Sequence, residues 1–221
     1  MSFWSQMNLM DPASFIQREM LLFHDHAMMI ISSIFILVSA IGFLLLRSTF
    51  STRRVHEAQT LEIVWTVLPA LLLVTLALPS LRLLYLVDEQ PLNSSNILKI
   101  TGHQWYWNYE LPSTDHKTFD SYMVPTADLL SGDYRLLEVD NRVTLPTGVD
   151  TSLVTTSADV IHAWAMPALG VKMDSVPGRL NMMNTHPLLS GVYYGQCSEI
   201  CGANHAFMPI VIECVPADSM Y

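Results

Sequence analysis

Two uncharged apolar runs decide what this chain can fold into. Residues 27–46 read AMMIISSIFILVSAIGFLLL and residues 63–81 read IVWTVLPALLLVTLALPSL, with no Asp, Glu, Lys or Arg in either. A bilayer core is crossed by ~20 residues rising ~1.5 Å each. Both runs have that length, so both are expected to be transmembrane helices, joined by a connector over 47–62. Burial in a soluble core is the other way to hide such runs, but charge-free stretches this long are unusual there. Pro69 and Pro79 fall inside the second run. Each removes a backbone donor, which a membrane helix tolerates when neighbouring groups pair the freed carbonyl. Pro79 is also a place where the helix could leave the bilayer, with an extension to about 87 as the alternative.

The segment 1–26 carries one Arg against three acids. It lacks the basic start of a signal peptide and the Arg-rich, acid-poor make-up of a transit peptide, so insertion without a cleaved presequence is expected. The connector holds Arg47, Arg53 and Arg54, whereas the segment before the first run holds only Arg18. Positive charge stays on the side of synthesis. The connector therefore faces inside, and segment 1–26 and the chain beyond the second run face outside.

The chain's formal charge of −9 sits entirely beyond the second run. Residues 88–221 hold fifteen Asp/Glu against six Lys/Arg, while the first 87 hold five of each. That balance argues against a nucleic-acid partner and suits a basic protein, although solubility alone also favours net charge. Periodicity changes at the same point. Short β-rich runs at 97–101, 104–111, 118–124, 134–140, 151–156, 191–197 and 207–215 alternate with Pro, Gly, Asn and Asp breaks. Seven to nine such strands predict an antiparallel sandwich or Greek-key barrel for 88–221.

Chemistry concentrates near the end of that domain, in GQCSEICGANHAFMPIV at 195–211. Cys197, Cys201, His205 and Met208 each offer a soft or borderline lone pair, and all lie in a loop between two predicted strands. His162, at the end of another predicted strand, can join them because loops gather at one end of a sandwich. Thiolate and imidazole suit zinc or copper, and a thioether leans towards copper. Four Cys/His ligands would make a structural zinc site, which has no use for Met208. One Cys, two His and a weak Met make a mononuclear copper site, and a second Cys can bridge a second copper. A Cys197–Cys201 disulfide is the remaining alternative. Cys214 reads as a small buried hydrophobe. A second feature is GHQWYWNYE at 102–110, where strand periodicity puts Trp105, Trp107 and Tyr109 on one face and Gln104 and Tyr106 on the other. Half of such a cluster is accounted for by core and by an interfacial aromatic belt.

The two runs, with GHQWYW, TFDSYM, LLEVDNR, PGRLN and GQCSEICGANHAFMPI, resemble the subunit II family of cytochrome c oxidases in its mitochondrial form, over nearly the whole chain. The resemblance implies a helix hairpin followed by an all-β cupredoxin-like domain. It implies a dinuclear copper centre that takes electrons from cytochrome c and passes them to the haem-bearing subunit I of the oxidase. Oxygen reduction and proton translocation then belong to the complex, not to this chain. His162, Cys197, Cys201, His205 and Met208 match the family's copper ligands, and Glu199 matches the residue whose backbone carbonyl completes the set. The Glu199 side chain matches a ligand of a magnesium ion shared with the catalytic subunit. Trp105 matches the point of electron input. Glu110, Asp120, Asp140 and Asp159 match positions that face cytochrome c, and Glu62 matches the mouth of a proton path. The implied setting is the mitochondrial inner membrane, with both termini and the copper domain in the intermembrane space. Two departures stand out. His116 and Lys117 follow Asp115 where the family is usually more acidic, and Ala158 precedes Asp159 where a second acid is common.

Two other readings compete. A membrane-anchored copper-delivery or thiol-redox protein also uses a C-x3-C pair and a distant His, but in a thioredoxin-like fold the pair follows an early strand and opens a helix. Here it lies in the last tenth of the chain, after a run of strands. A quinol-oxidase type of subunit would have lost the ligands that are intact here.

Overall fold

The computed structural model describes residues 5–51, 57–89, 96–111 and 117–219, without the Lys117 and Ser219 side chains. Arg53, Arg54, Asp115, His116 and the Lys117 side chain thus lie outside the described residues. The chain divides into two compact units: residues 20–86, and the β-rich remainder, which includes the first turn of the first helix.

Helices α1 (Phe15–Arg47) and α2 (Gln59–Asp88) contain the two apolar runs and extend beyond them. Their large apolar side chains, Phe35, Leu45, Leu73 and Leu78 among them, are exposed on the chain itself. Such a surface is suited to lipid as its solvent. α2 continues unbroken through Pro69 and on past Pro79 to Asp88. Pro79 has no N–H to give the Thr75 carbonyl four residues back. The His26 Nε2 of α1 lies 3.4 Å from that carbonyl oxygen and donates in its place. A helix-breaking residue on one helix is thus answered by a donor on the other. Replacing His26 by Leu is expected to destabilise the hairpin by about 0.5–1.5 kcal/mol, the range for interhelical hydrogen bonds in membranes. The loss should vanish in a Pro79→Ala background, where the substituted alanine restores the N–H. Thermal unfolding of the detergent-solubilised protein measures both, and equal losses in the two backgrounds would remove the pairing.

The start of α1 is tied to the β-rich unit. Ser14 stands at its N-cap, its hydroxyl accepting from the Gln17 N–H at 3.1 Å and donating to the Leu169 carbonyl at 2.7 Å. Ala13 donates to the Ala168 carbonyl and accepts from the Leu188 N–H, at 2.8 and 2.7 Å. Nothing in residues 11–17 signals this anchorage, because apart from the Ser14 hydroxyl it depends on backbone groups, and its partners at 168, 169 and 188 are remote in sequence.

Ten strands follow among the described residues: β1 (Asn96–His103), β2 (Tyr106–Leu111), β3 (Lys117–Ser121), β4 (Val143–Thr147), β5 (Thr151–Ser157), β6 (His162–Met166), β7 (Val171–Ser175), β8 (Asn181–Thr185), β9 (Gly191–Gln196) and β10 (Pro209–Pro216). They form sheets ordered β3-β2-β1-β5-β8, β4-β10-β9 and β6-β7. The sandwich expected from the sequence is built mostly of antiparallel pairs, but its sheets are mixed: β1 runs parallel to β5 and β10 parallel to β4. Parallel neighbours need long crossovers, and the chain between β1 and β5 and between β4 and β10 provides them. The run 134–140 is not a strand; it contributes only a bridge between Met123 and Val139. β4, β6, β7 and β8 are only five residues each, and none stands out as a strand: VTLPT contains a proline, HAWAM does not alternate, and VKMDS and NMMNT each have a single β-branched residue.

The core lies between the sheets. Leu98 and Ile100 of β1, Trp107 and Tyr109 of β2, Leu153 of β5, Trp164 of β6 and Ile210 and Ile212 of β10 are all buried. β1 and β2 alternate as half-buried strands do, while β6 is buried along its whole length. The tight packing around β6 fixes the position of its first residue, His162.

Candidate metal centre

Cys197 and Met208 stand just past the last ladder pair of β9 and β10, Gln196 with Pro209. The loop between them is closed at its base by Cys197 N–H donating to the Met208 carbonyl at 3.4 Å. Ser198 N–H donates to Ala163 at 2.9 Å, which stitches the loop to β6. Trp107 Nε1–H reaches the same Met208 carbonyl at 3.3 Å from inside the core. His162 opens β6 and does not close a strand as expected. A turn over 157–161 delivers it, in which Asp159 N–H donates to Ser157 Oγ and Val160 N–H to Asp159 Oδ1.

These contacts bring the predicted ligands together. The Cys197 and Cys201 sulfurs are 4.0 Å apart. His162 Nδ1 lies 3.9 Å from Cys197 Sγ, His205 Nδ1 3.4 Å from Cys201 Sγ, and Met208 Sδ 3.6 Å from Cys201 Sγ. The Glu199 carbonyl oxygen is 3.5 Å from Cys197 Sγ, so its backbone faces the cluster as well. His162, Cys197, Cys201 and Met208 are buried, and His205 is half-buried. The two sulfurs are far beyond a disulfide bond of ~2.05 Å, and both cysteines are free thiols. Yet one ion can bond both, at ~2.3 Å each. Cys214 is also free and buried, and burial pushes its thiol up to about 12. It is inert packing, as its sequence position suggested.

Without a metal the two thiols differ. Burial opposes ionisation of Cys197, but hydrogen bonds with His162 and the Ala163 backbone outweigh it and bring its pKa down to about 7. Burial and the neighbouring Cys197 charge push Cys201 up to about 12. Burial likewise opposes the charged form of His162, but its bonds with Cys197 and Asp159 win and raise its pKa. Asp159 is lowered against its own partial burial, by His162 and by the N–H groups of Val160 and Gln104.

Trp105 does not share a strand face with Trp107 and Tyr109, because residues 104–105 form the turn between β1 and β2. Trp107 and Tyr109 point into the core, whereas Trp105 is half-buried beside the loop. Its Nε1–H donates to the Cys201 carbonyl at 3.1 Å, and Gln104 Nε2–H donates to the same oxygen at 2.8 Å. Gly202 makes room for them. Its φ is +120°, and a Cβ there would come within 3.0 Å of the indole.

Of the remaining predicted site residues, Asp159 alone is shown bonded to a candidate ligand. Glu110 pairs with Lys99 at 2.8 Å across β1 and β2. Asp120 accepts from Asn108 Nδ2–H at 2.7 Å. Asp140 is exposed and accepts from the Tyr122 and Asn141 N–H groups. Glu62 is exposed in the first turn of α2, with Thr66 Oγ donating to its carbonyl at 2.8 Å. Asp159 accepts from His162 Nε2–H at 2.9 Å, and its side chain is about a third exposed. Gln104 and the Asp159–His162 contact were missed by the sequence reading. The three-residue spacing of Asp159 and His162 could have flagged the second; nothing marks the first.

Comparison with known proteins agrees over both units. The model of the family described as cytochrome C oxidase subunit II, periplasmic domain, matches residues 96–215. The model of its transmembrane domain matches residues 2–83. Cytochrome c oxidase subunit 2 of Albinaria caerulea is 66% identical over 97% of this chain and 96% of its own length. That of Drosophila melanogaster is 50% identical over 99% of this chain and 95% of its own. The crystal structure of the periplasmic domain of subunit II of cytochrome oxidase from Bradyrhizobium japonicum superposes with a TM-score of 0.54 at 44% identity. It covers 58% of this chain and 89% of that one.

Proposed function

This chain belongs to the cytochrome c oxidase subunit II family, and from that membership we propose that its loop site holds two copper ions and takes electrons from cytochrome c. The chain is an electron-transfer subunit of an oxidoreductase complex, with two transmembrane helices and a cupredoxin-like domain whose Cys and His residues fit a copper centre. The observation that carries the proposal is the donor set. Two thiols, two imidazoles, a thioether and the Glu199 carbonyl converge on one loop. A single zinc ion takes four ligands and would leave two donors idle. Two copper ions would engage all six donors, and soft sulfur suits copper.

When bound, copper supplies a one-electron couple. The protein's part is to hold the ligands still and to bring the electron in. Cys197, Cys201 and His162 are fixed by the buried base of the loop. Trp105 offers the π-surface for input, and its bond to the Cys201 carbonyl joins the indole to a ligand residue. Glu110, Asp120, Asp140 and Asp159 supply the attraction for a basic cytochrome. From a copper centre here the electron would go on to the haem-bearing subunit, next to which the Glu199 side chain would hold a magnesium ion. Glu62, at the connector end of α2, would stand at the mouth of a proton path. The complex sits in the mitochondrial inner membrane, with the connector in the matrix and both termini in the intermembrane space, in keeping with Arg47, Arg53 and Arg54.

The test is made on the intact oxidase. Metal analysis should give two coppers at this site per chain, and electron paramagnetic resonance one unpaired electron shared by both. One copper, or zinc winning in competition, would sink the proposal. Trp105→Ala should slow reduction by ferrocytochrome c by more than tenfold while changing its binding by less than threefold; distributed exposed charges worth roughly 0–1 kcal/mol each supply the docking. Stopped-flow reduction and binding titration read the two separately, and equal losses in both would make Trp105 a docking anchor only.

A further inference from the structure

Asp159 stands where the metal site meets the aromatic turn. One carboxylate oxygen accepts from His162 Nε2–H at 2.9 Å and from Val160 N–H at 2.6 Å. The other accepts from the Gln104 backbone N–H at 2.7 Å. Gln104 in turn donates its side-chain N–H to the Cys201 carbonyl, beside the Trp105 indole. His162 Nδ1 faces Cys197. The contacts therefore make a closed circuit from one ligand to the other, through residues 55 and 97 positions apart in sequence.

We infer that Asp159 is a positioning residue for electron input, holding His162 with Nδ1 free for the metal and clamping the Gln104–Trp105 turn against Cys201. The inference rests on the copper and Trp105 reading above and adds a role for Asp159 besides its charge. An imidazole whose Nε2–H is engaged by a carboxylate is fixed in tautomer and orientation and made a stronger donor. Such outer partners are worth about ten- to a hundred-fold in affinity or activity. Asparagine cannot reproduce the arrangement. With its oxygen towards His162 and Val160, its N–H groups face the Gln104 N–H, donor against donor; turned over, they face His162 and Val160. Either way one half of the brace opens.

Because Asp159 also carries charge, Asp159→Asn is compared with Asp120→Asn in the intact oxidase. Asp120 is bonded to Asn108 and touches neither His162 nor Gln104. Asp159→Asn should change the copper resonance spectrum, shift the reduction potential of the centre, and slow reduction by ferrocytochrome c about ten- to a hundred-fold at every salt concentration. Asp120→Asn should leave spectrum and potential alone and slow reduction only at low salt, where charge steering operates. Gln104→Met removes only the bond to the Cys201 carbonyl and keeps the backbone N–H for Asp159, so it covers the case in which Asp159→Asn fails to assemble. It should slow reduction severalfold with unchanged cytochrome binding. The inference fails if Asp159→Asn behaves as Asp120→Asn does, or, where it fails to assemble, if Gln104→Met reduces at the wild-type rate. A wild-type oxidase without the shared-electron copper signal would instead overturn the reading on which it rests.

Discussion

Cys201→Ser is expected to abolish the proposed two-copper centre while leaving the β-rich unit folded. Cys201 Sγ is the hub of the cluster, with Cys197 Sγ, His205 Nδ1 and Met208 Sδ 4.0, 3.4 and 3.6 Å away. Serine is close in volume and keeps the backbone carbonyl that Gln104 and Trp105 use. What it loses is the soft thiolate that the proposed centre would share between two ions. A neutral hydroxyl binds copper weakly and cannot bridge two ions under these conditions. Copper at this site should fall from two per chain to one or none, and reduction by ferrocytochrome c should drop by more than about a hundred-fold, beyond what loss of an outer partner alone causes. The metal-free domain should unfold within about 1 kcal/mol of wild type, since the change removes no large apolar surface. Metal analysis, resonance spectra and stopped-flow reduction read the site, and thermal unfolding of copper-stripped protein reads the fold. A Cys201→Ser oxidase that keeps two coppers and a shared electron would show that Cys201 does not bridge.

What was legible in the sequence follows from how local each signal is. The helices announced themselves because a bilayer imposes length and apolarity on consecutive residues. The ligand loop was legible because Cys197, Cys201, His205 and Met208 are crowded into one segment. His162 was found from its residue type, yet its place at the start of β6 was not, because β6 is buried on both faces and HAWAM does not alternate. The parallel pairing of β1 with β5 escaped for a related reason: no local pattern records which distant strand lies alongside. Gln104 and Asp159 were the harder losses. Their roles arise from bonds to Cys201 and His162 across turns, and a glutamine or an aspartate in a polar turn is ordinarily solvated. Asp159 was read as a surface charge, which its partial exposure is compatible with, and the contact that distinguishes it exists only once β5, β6 and the β1–β2 turn are assembled.

Gly195→Ala is expected to damage the centre from a position that carries no ligand. Gly195 lies in β9, two residues before Cys197, and pairs with Ile210 of β10. A Cβ there would overlap the backbone carbonyl oxygen of Ala165 and come within 3.2 Å of Met166 Cε. Ala165 belongs to β6, held in register with Lys172 of β7. Met166 could swing aside, but the Ala165 carbonyl cannot without disturbing that ladder. The remaining way to relieve the overlap is to separate β9 from β6. β6 opens with His162 and β9 leads directly into Cys197, whose Sγ is 3.9 Å from His162 Nδ1. Overpacking typically costs about 1–3 kcal/mol and occasionally more, and an unyielding backbone partner puts this case at about 3 kcal/mol or above. Against a total stability of about 5–15 kcal/mol, that should lower the amount of assembled oxidase severalfold. In the part that assembles, the His162 contribution to the copper spectrum should change. Gly42→Ala, in α1 with nothing within 4 Å of the added Cβ, is the control and should assemble at least as well as wild type. Quantifying assembled complex and recording its resonance spectrum decides the matter. Wild-type yield with an unchanged spectrum would mean that β6 and β9 can part without moving the ligands, and that the centre is held by its loop alone.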